Sequence, residues 1–162
     1  GTALCDLERV TGRYDVAKAY CLEALEIYRD LGLSTLAAAG NFGYIALHEG
    51  DLDTAKRLFA EGFAAARERN SEPHIAFHAM DAGAVMVMEK RPRQAVVLMA
   101  FFHTYFESGD RRILTPADLA EYEHYLALAR AQLDEAGFQA AWAEGSAMTL
   151  EQALAYAERE AA

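Results

Sequence analysis

Three side chains that could bind a divalent metal fall on one face of a predicted helix near the middle of the chain. His74 and His78 are four residues apart, and Asp81 follows three residues later. That spacing places two imidazoles and a carboxylate on the same side of an α-helix. The segment His-Ile-Ala-Phe-His nevertheless lacks the glutamate of a zinc-hydrolase helix, and no fourth ligand is evident. We therefore predict no bound metal and no cofactor, with a partly buried polar patch as the structural role of these residues.

The two cysteines are the other residues with reactive side chains. Cys5 and Cys21 are too few for a disulfide framework and fall on the facing sides of one predicted helix pair. We expect them to pack together as reduced thiols of a cytoplasmic protein. The chain contains no nucleophile elbow and no phosphate-binding loop. We predict that it is not an enzyme; the alternative is an enzyme or metal-dependent sensor centred on the histidines.

The charge of the chain limits the classes of partner. Its 162 residues are 53% hydrophobic and carry a formal net charge of −10, a composition that excludes a disordered tail and argues against a nucleic-acid-binding surface. Residues 113–162 hold two basic and nine acidic residues and so carry −7 of that charge. Two short basic clusters lie ahead of this segment, and we interpret both as solvated turn charges. The first consists of Lys90, Arg91 and Arg93, and the second of Arg111 and Arg112.

No apolar run reaches the roughly 18–20 residues that a membrane helix requires. The first residues lack a signal peptide and an initiator methionine, so we expect an excised cytoplasmic segment that makes no membrane contact.

Two segments repeat one pattern of small and apolar residues. Gly12 and Gly50 are each followed by an apolar residue at +2, an alanine at +5, a core residue at +9 and a small residue at +12. The repeat therefore has a period equal to the number of residues from Gly12 to Gly50. A third, degenerate copy begins at Lys90, and its Ala95 follows Ala55 at a slightly longer spacing. Such a period indicates stacked supersecondary units.

The repeats predict an all-α protein. We expect three helix pairs at 1–31, 34–69 and 72–107, which together form a region at 1–110. A C-terminal helical cap should follow at 111–162 and cover the end of the array. Gly43 and Gly83, at corresponding places in the second and third pairs, are predicted to let the two helices of a pair approach closely.

Capping signals place several helix ends. Ser34 is the predicted N-cap of the second pair, and Thr115-Pro116 starts a helix that should run to about residue 135. A further helix is expected at 138–147. Thr149 and Gln152 form a capping box that opens the last helix.

The pattern Gly-x-(Tyr/Leu)-x-x-Ala resembles tetratricopeptide repeats. That family has a usual period of about 34 residues, so the longer spacing of Gly12 and Gly50 implies longer helices or loops. Segments 41–68 and 137–157 resemble the C-terminal sensor region of large bacterial multidomain regulators, in which a regulatory ATPase lies upstream and the output domain is a LuxR-type helix-turn-helix or a nucleotide cyclase. The resemblance implies a right-handed superhelix of antiparallel helix pairs and a role in sensing proteins or ligands.

Helical-repeat proteins bind through the concave surface lined by the first helix of each pair. In the family, Asn and basic side chains there hold a peptide backbone or carboxylate, and Asn41 matches the Asn position. Asp81 occupies the equivalent position in the third copy and reverses the charge. The projected groove consists of Asp6, Arg9, Asn41, Tyr44, His48, Phe77, Asp81 and Met88. The alternative is that this surface faces other parts of the protein.

We therefore predict a non-enzymatic interaction or ligand-sensing segment of a bacterial transcriptional regulator. Its partner would be a protein or peptide, which could be an upstream domain of the same chain, with no direct nucleic-acid contact. The alternatives are the same module in a cyclase- or kinase-linked protein, or a scaffold that forms a homodimer through an exposed apolar end.

Overall fold

The computed structural model describes residues 2–109 and 113–161, so Arg111 and Arg112 of the second basic cluster lie outside the described residues. Within these ranges the regular structure is α-helical and contains no strand, which confirms the all-α prediction. No described helix is both long and apolar enough to cross a membrane. The helices are α1 Thr2–Val10, α2 Tyr14–Asp30, α3 Leu36–His48, α4 Leu52–Glu68, α5 Glu72–Met88, α6 Pro92–Ser108, α7 Pro116–Arg130, α8 Glu135–Ser146 and α9 Leu150–Ala161.

The helix boundaries recur along the chain with the same period as the sequence repeat. Helix α4 follows α2 at the spacing of Gly50 and Gly12, and α6 follows α4 at the slightly longer spacing of the third copy. The turn within each pair contains a left-handed residue at the matching position, with φ values of +76° at Gly12, +79° at Gly50 and +62° at Lys90. Glycine adopts this conformation without steric cost, whereas a side chain disfavours it. Lys90 therefore holds the turn of the third pair at the expense of some local strain.

The described residues form two compact units, residues 2–75 and residues 76–161 without 110–112. The boundary falls within α5, whereas the sequence analysis divided the chain after residue 110. The third helix pair therefore shares its unit with the C-terminal helices. The reason lies in α6, which packs against α7, α8 and α9.

The core of the first unit contains a disulfide where the sequence analysis expected free thiols. Cys5 and Cys21 are bonded to each other, with their Cα atoms 5.6 Å apart. Both are fully buried and pack with Ala17 and Ile45. The predicted proximity of the two cysteines is confirmed and their predicted redox state is wrong, because the α1–α2 crossing brings the two Cα atoms within the range that a disulfide bridges.

Small residues allow close helix approach in both units, as predicted. A Cβ atom added at Gly43 would clash with the ring of Phe59, and one added at Gly83 would lie 3.3 Å from the carbonyl oxygen of Ala95. The tightest approach was not predicted. A Cβ at Gly145 of α8 would lie 2.7 Å from the carbonyl carbon of Val97 on α6.

Helix α6 is the centre of the second unit. Its residues 95–102 are all buried, so this helix is covered on every side rather than along one stripe. The three C-terminal helices supply much of this cover. Their role as a cap is therefore a packing role toward α6.

The helix ends agree with the capping signals in part. Thr115 and Asp118 form a capping box at α7, and Thr149 and Gln152 exchange the corresponding bonds at α9. Three predicted helix ends differ from those of the structure. Helix α3 has Thr35 as its N-cap, although the Oγ of Ser34 accepts a bond from the backbone N–H of Leu36 at 3.5 Å. Helix α7 ends at Arg130, and α8 begins three residues before its predicted start because the Asp134 side chain accepts a bond from the backbone N–H of residue 137.

Candidate interaction surfaces

The candidate metal ligands His74, His78 and Asp81 on α5 do not form a metal site among the described residues. The Oγ of Ser71 lies 2.6 Å from the Nδ1 of His74, which engages that ring locally. Burial lowers the pKa of His78 to about 4, so its imidazole is neutral at pH 7. Within the described ranges, no group of three or more His, Cys, Asp or Glu side chains is arranged to hold a metal ion. The spacing of His74, His78 and Asp81 is therefore not sufficient to create one.

The predicted groove residues of the first unit are packed side chains. Asn41 is buried, and Tyr44 is 3% exposed and meets the ring of Phe59 edge to face at a centroid distance of 4.9 Å. His48 stacks on Tyr14 at 4.5 Å, with its Nε2 3.3 Å from the phenolic oxygen. These side chains tie helices together, and a direct role in binding a partner stays a prediction.

Arg9 and Asp6, also projected onto the groove, form a pair on α1. Arg9 is buried, and its guanidinium lies 3.4 Å from the carboxylate of Asp6 and 5.4 Å from the centre of the Tyr44 ring. A guanidinium over a tyrosine face adds a favourable cation–π contact. The pair thus links α1 to α3.

In the second unit, the predicted groove residue Phe77 is part of an aromatic cluster. Its ring lies 5.4 Å from that of Phe102 and 5.6 Å from that of Phe106. Asp81 and Met88 lie farther along α5 and are half-buried. Phe77, which was projected onto the groove, therefore packs against α6.

The most exposed apolar surface lies on the first helix pair. Among the described residues, eight of the nine exposed large apolar side chains fall between residues 4 and 33. We call this set the α1–α2 apolar surface. It consists of Leu4, Leu7, Val10, Val16, Leu22, Ile27, Leu31 and Leu33. The ninth is Leu128 on α7. This concentration in one part of the chain makes the first helix pair the candidate interaction region.

The exposed apolar end was predicted from the sequence, but its residues were not identified. The available signal was that α1 carries apolar residues on two faces. Leu4, Leu7 and Val10 follow one another at three-residue spacing, and Cys5 lies on the buried side of the same helix. A helix that is apolar on two faces requires two covering surfaces.

Two arginines predicted to be solvated turn charges instead join elements of the second unit. Arg91 donates to a carboxylate oxygen of Glu160 at 2.8 Å and to its backbone carbonyl at 2.7 Å. Arg93 donates to Glu144 at 2.6 Å. The excess of acidic residues in the C-terminal helices thus has a structural use, because two of them pair with the turn that starts α6.

A second aromatic cluster lies where α6, α7 and α8 meet. The ring of His103 is 5.3 Å from that of Trp142 and 6.3 Å from that of Tyr122. Burial and the nearby carboxylates Glu107 and Glu123 raise the pKa of Tyr122. The Tyr122 hydroxyl is buried and has no hydrogen-bond partner among the described residues. This cluster packs the three helices against one another.

No family model matches the chain, and neither the characterised proteins nor the solved structures include a match.

Proposed function

We propose that this chain is a non-enzymatic helical-repeat segment that binds another protein surface, within a bacterial transcriptional regulator. The observation that carries the proposal is the concentration of exposed apolar side chains on the first helix pair. Because Leu7 is 55% exposed, covering the rest of its side chain would provide about 1–1.5 kcal/mol. Several such residues on one helix pair and the turn after it favour association with a partner.

The regulator context is supported by the resemblance of segments 41–68 and 137–157 to sensor regions. In that context the mechanism is a population shift. A partner that binds one arrangement of the helices more tightly than another stabilises that arrangement and so biases a switch elsewhere in the protein. The cyclase- or kinase-linked setting uses the same module and the same mechanism. The compartment that this resemblance favours is the cytoplasm, whereas the Cys5–Cys21 disulfide favours an oxidising compartment, because disulfides are rare in cytoplasmic proteins.

Photocrosslinking in bacterial cells tests the interaction directly. A photoreactive residue placed at position 7 should give an adduct with another protein, because Leu7 is 55% exposed within the α1–α2 apolar surface. The matched control is the same residue at position 128, since Leu128 is also exposed, at 38%, but lies outside that surface.

The adduct should also depend on the neighbouring apolar residues. Val10→Asp in the chain labelled at position 7 should reduce the adduct at least about tenfold, the factor expected for a loss of about 1.4 kcal/mol. Equal adduct yields from positions 7 and 128, or no effect of Val10→Asp, would contradict the proposal.

A further inference from the structure

Helix α1 carries a row of exposed apolar residues whose repeat counterparts make contacts already described. The row consists of Leu4, Leu7 and Val10. Because α1 and α3 both end two residues before a left-handed glycine, the shift that takes Gly12 to Gly50 superimposes their registers. The counterparts on α3 are Phe42, Ile45 and His48.

All three counterparts contact the preceding helix pair. Ile45 is fully buried and packs with the disulfide-bonded Cys5 and Cys21. Phe42 packs against the same cluster and against a second one that contains Leu25 of α2. His48 stacks on Tyr14 of α2. The face of α3 at these three positions is therefore the face by which one helix pair docks onto the pair before it.

We infer that Leu4, Leu7 and Val10 receive a further helix pair of the same repeat type, packed on α1 as the α1–α2 pair packs on α3. Stacking of this kind buries the apolar face that a single repeat cannot bury alone. The inference rests on the proposed function in one respect, that the α1–α2 apolar surface is an interaction surface. It adds what kind of structure covers the α1 part of that surface.

The chemistry of the occupant follows from what α3 meets. The residues of α2 that receive Ile45 are small, Ala17 and Cys21, and are flanked by the aromatic ring of Tyr14. The occupant should therefore present a helix with small residues four apart, into which Leu7 projects.

A second copy of this chain does not offer such a face. The counterparts of Ala17 and Cys21 in the later pairs are all buried, and they are Ala55, Phe59, Ala95 and Met99. The small-residue face of α2 itself is covered by α3. The helix pair that covers α1 in this manner must therefore be one other than the helix pairs described here.

Tandem duplication tests the inference. A second copy of residues 1–38 fused directly ahead of Gly1 places an α1–α2 pair in front of the original α1 at the period set by Gly12 and Gly50. Leu7→Asp is then introduced into the original α1, both in the duplicated chain and in the unduplicated one. In the unduplicated chain Leu7 is exposed, so the melting temperature should change by no more than about 2 °C.

In the duplicated chain the same substitution buries a carboxylate and should lower the melting temperature by at least about 5 °C. Leu22→Asp is the matched control. Leu22 is exposed at 39%, its counterpart Ala60 on α4 is also exposed, and the change should remain within about 2 °C in both chains. Hydrogen exchange provides a second measurement, since the amides of the original α1 should exchange at least about tenfold more slowly after duplication.

Equal effects of Leu7→Asp in the two chains, with unchanged hydrogen exchange, would overturn the inference. A dimer of the unduplicated chain in sedimentation, dissociated by Leu7→Asp but not by Leu22→Asp, would also overturn it and assign the surface to a second copy. If duplication fails while crosslinking from position 7 succeeds, the proposed function stands and only the occupant is wrong.

Discussion

Replacing Gly145 by alanine would add one methyl group where helix α8 crosses helix α6. The new Cβ would lie 2.7 Å from the carbonyl carbon of Val97 and 2.9 Å from the Cβ of Ala100. Carbon atoms in favourable contact are about 3.5–4.0 Å apart. One neighbour is backbone and the other is a single methyl group, so neither can rotate away. The carbonyl oxygen of Val97 lies closer still, so the two helices must separate by more than about 1 Å to restore ordinary contact distances.

The cost of this separation can be weighed against the gain in helix propensity. Overpacking of a well-packed core costs about 1–3 kcal/mol. Alanine within a helix is favoured over glycine by about 1 kcal/mol. Because the contact involves backbone and lies against the buried α6, we expect the upper part of the first range and a net destabilisation of about 1–2 kcal/mol.

The matched control is Gly40→Ala in α3. Apart from the adjacent residues and the backbone of its own helix, no atom of the described residues lies within 4 Å of a Cβ added at Gly40, so only the helix-propensity gain applies. This variant should be more stable than the wild type by about 0.5–1 kcal/mol. The two glycine-to-alanine changes are therefore expected to have opposite signs.

Urea unfolding followed by circular dichroism in the far ultraviolet measures both variants. Fluorescence adds a local probe, because Trp142 is the single tryptophan of the chain and lies on α8. Gly145→Ala should lower the urea midpoint of the Trp142 signal. A midpoint equal to or above that of the wild type would refute the close α6–α8 contact from which the magnitude was calculated.

Three further predictions concern buried groups. Burial lowers the pKa of His78 from 6.5 to about 4, so its contribution to stability is complete above pH 6.5 and is lost as the pH falls toward 4. Urea unfolding should show a loss of about 2 kcal/mol between pH 7 and pH 5 that His78→Gln abolishes and His124→Gln, at an exposed ring, does not. Reducing the Cys5–Cys21 disulfide, which spans 16 residues, with a dithiol should lower the free energy of unfolding by about 3 kcal/mol; a Cys5→Ala/Cys21→Ala variant should not respond to the reductant. Tyr122→Phe removes a buried hydroxyl that has no partner among the described residues and should leave stability unchanged or raise it by about 1 kcal/mol; a loss above about 1 kcal/mol in thermal unfolding would show that the hydroxyl is hydrogen-bonded.

Local signals in the sequence determined the helices and their register. The matching residues after Gly12 and Gly50 placed the turns, and the bounds of α2 and α4 repeat at the same period. Turn geometry and capping depend on neighbours within a few residues, so a sequence pattern reports them well. The N-cap predicted at Ser34 and the helix end predicted near residue 135 differ from the observed ones, because several residues in the same turn could begin or end a helix equally well.

The tertiary structure decided which apolar and polar residues are accessible. Helical period assigned Tyr44 to a groove and left Leu7 unremarked, yet Tyr44 is buried against Phe59 and Leu7 faces solvent. Exposure depends on which other helix covers a face, and that choice is made by contacts between residues far apart in the chain.

The same distinction explains the cysteines and the candidate metal ligands. Residue type and spacing placed Cys5 opposite Cys21, but only the 5.6 Å between their Cα atoms turns that pair into a disulfide. Spacing likewise placed His74 and His78 on one side of a helix. Metal binding needs further ligands from other elements, and the packing around α5 does not bring them there among the described residues. The sequence thus determined a register of helix pairs, and the packing between helices, which depends on distances that no local pattern encodes, decided which side chains meet.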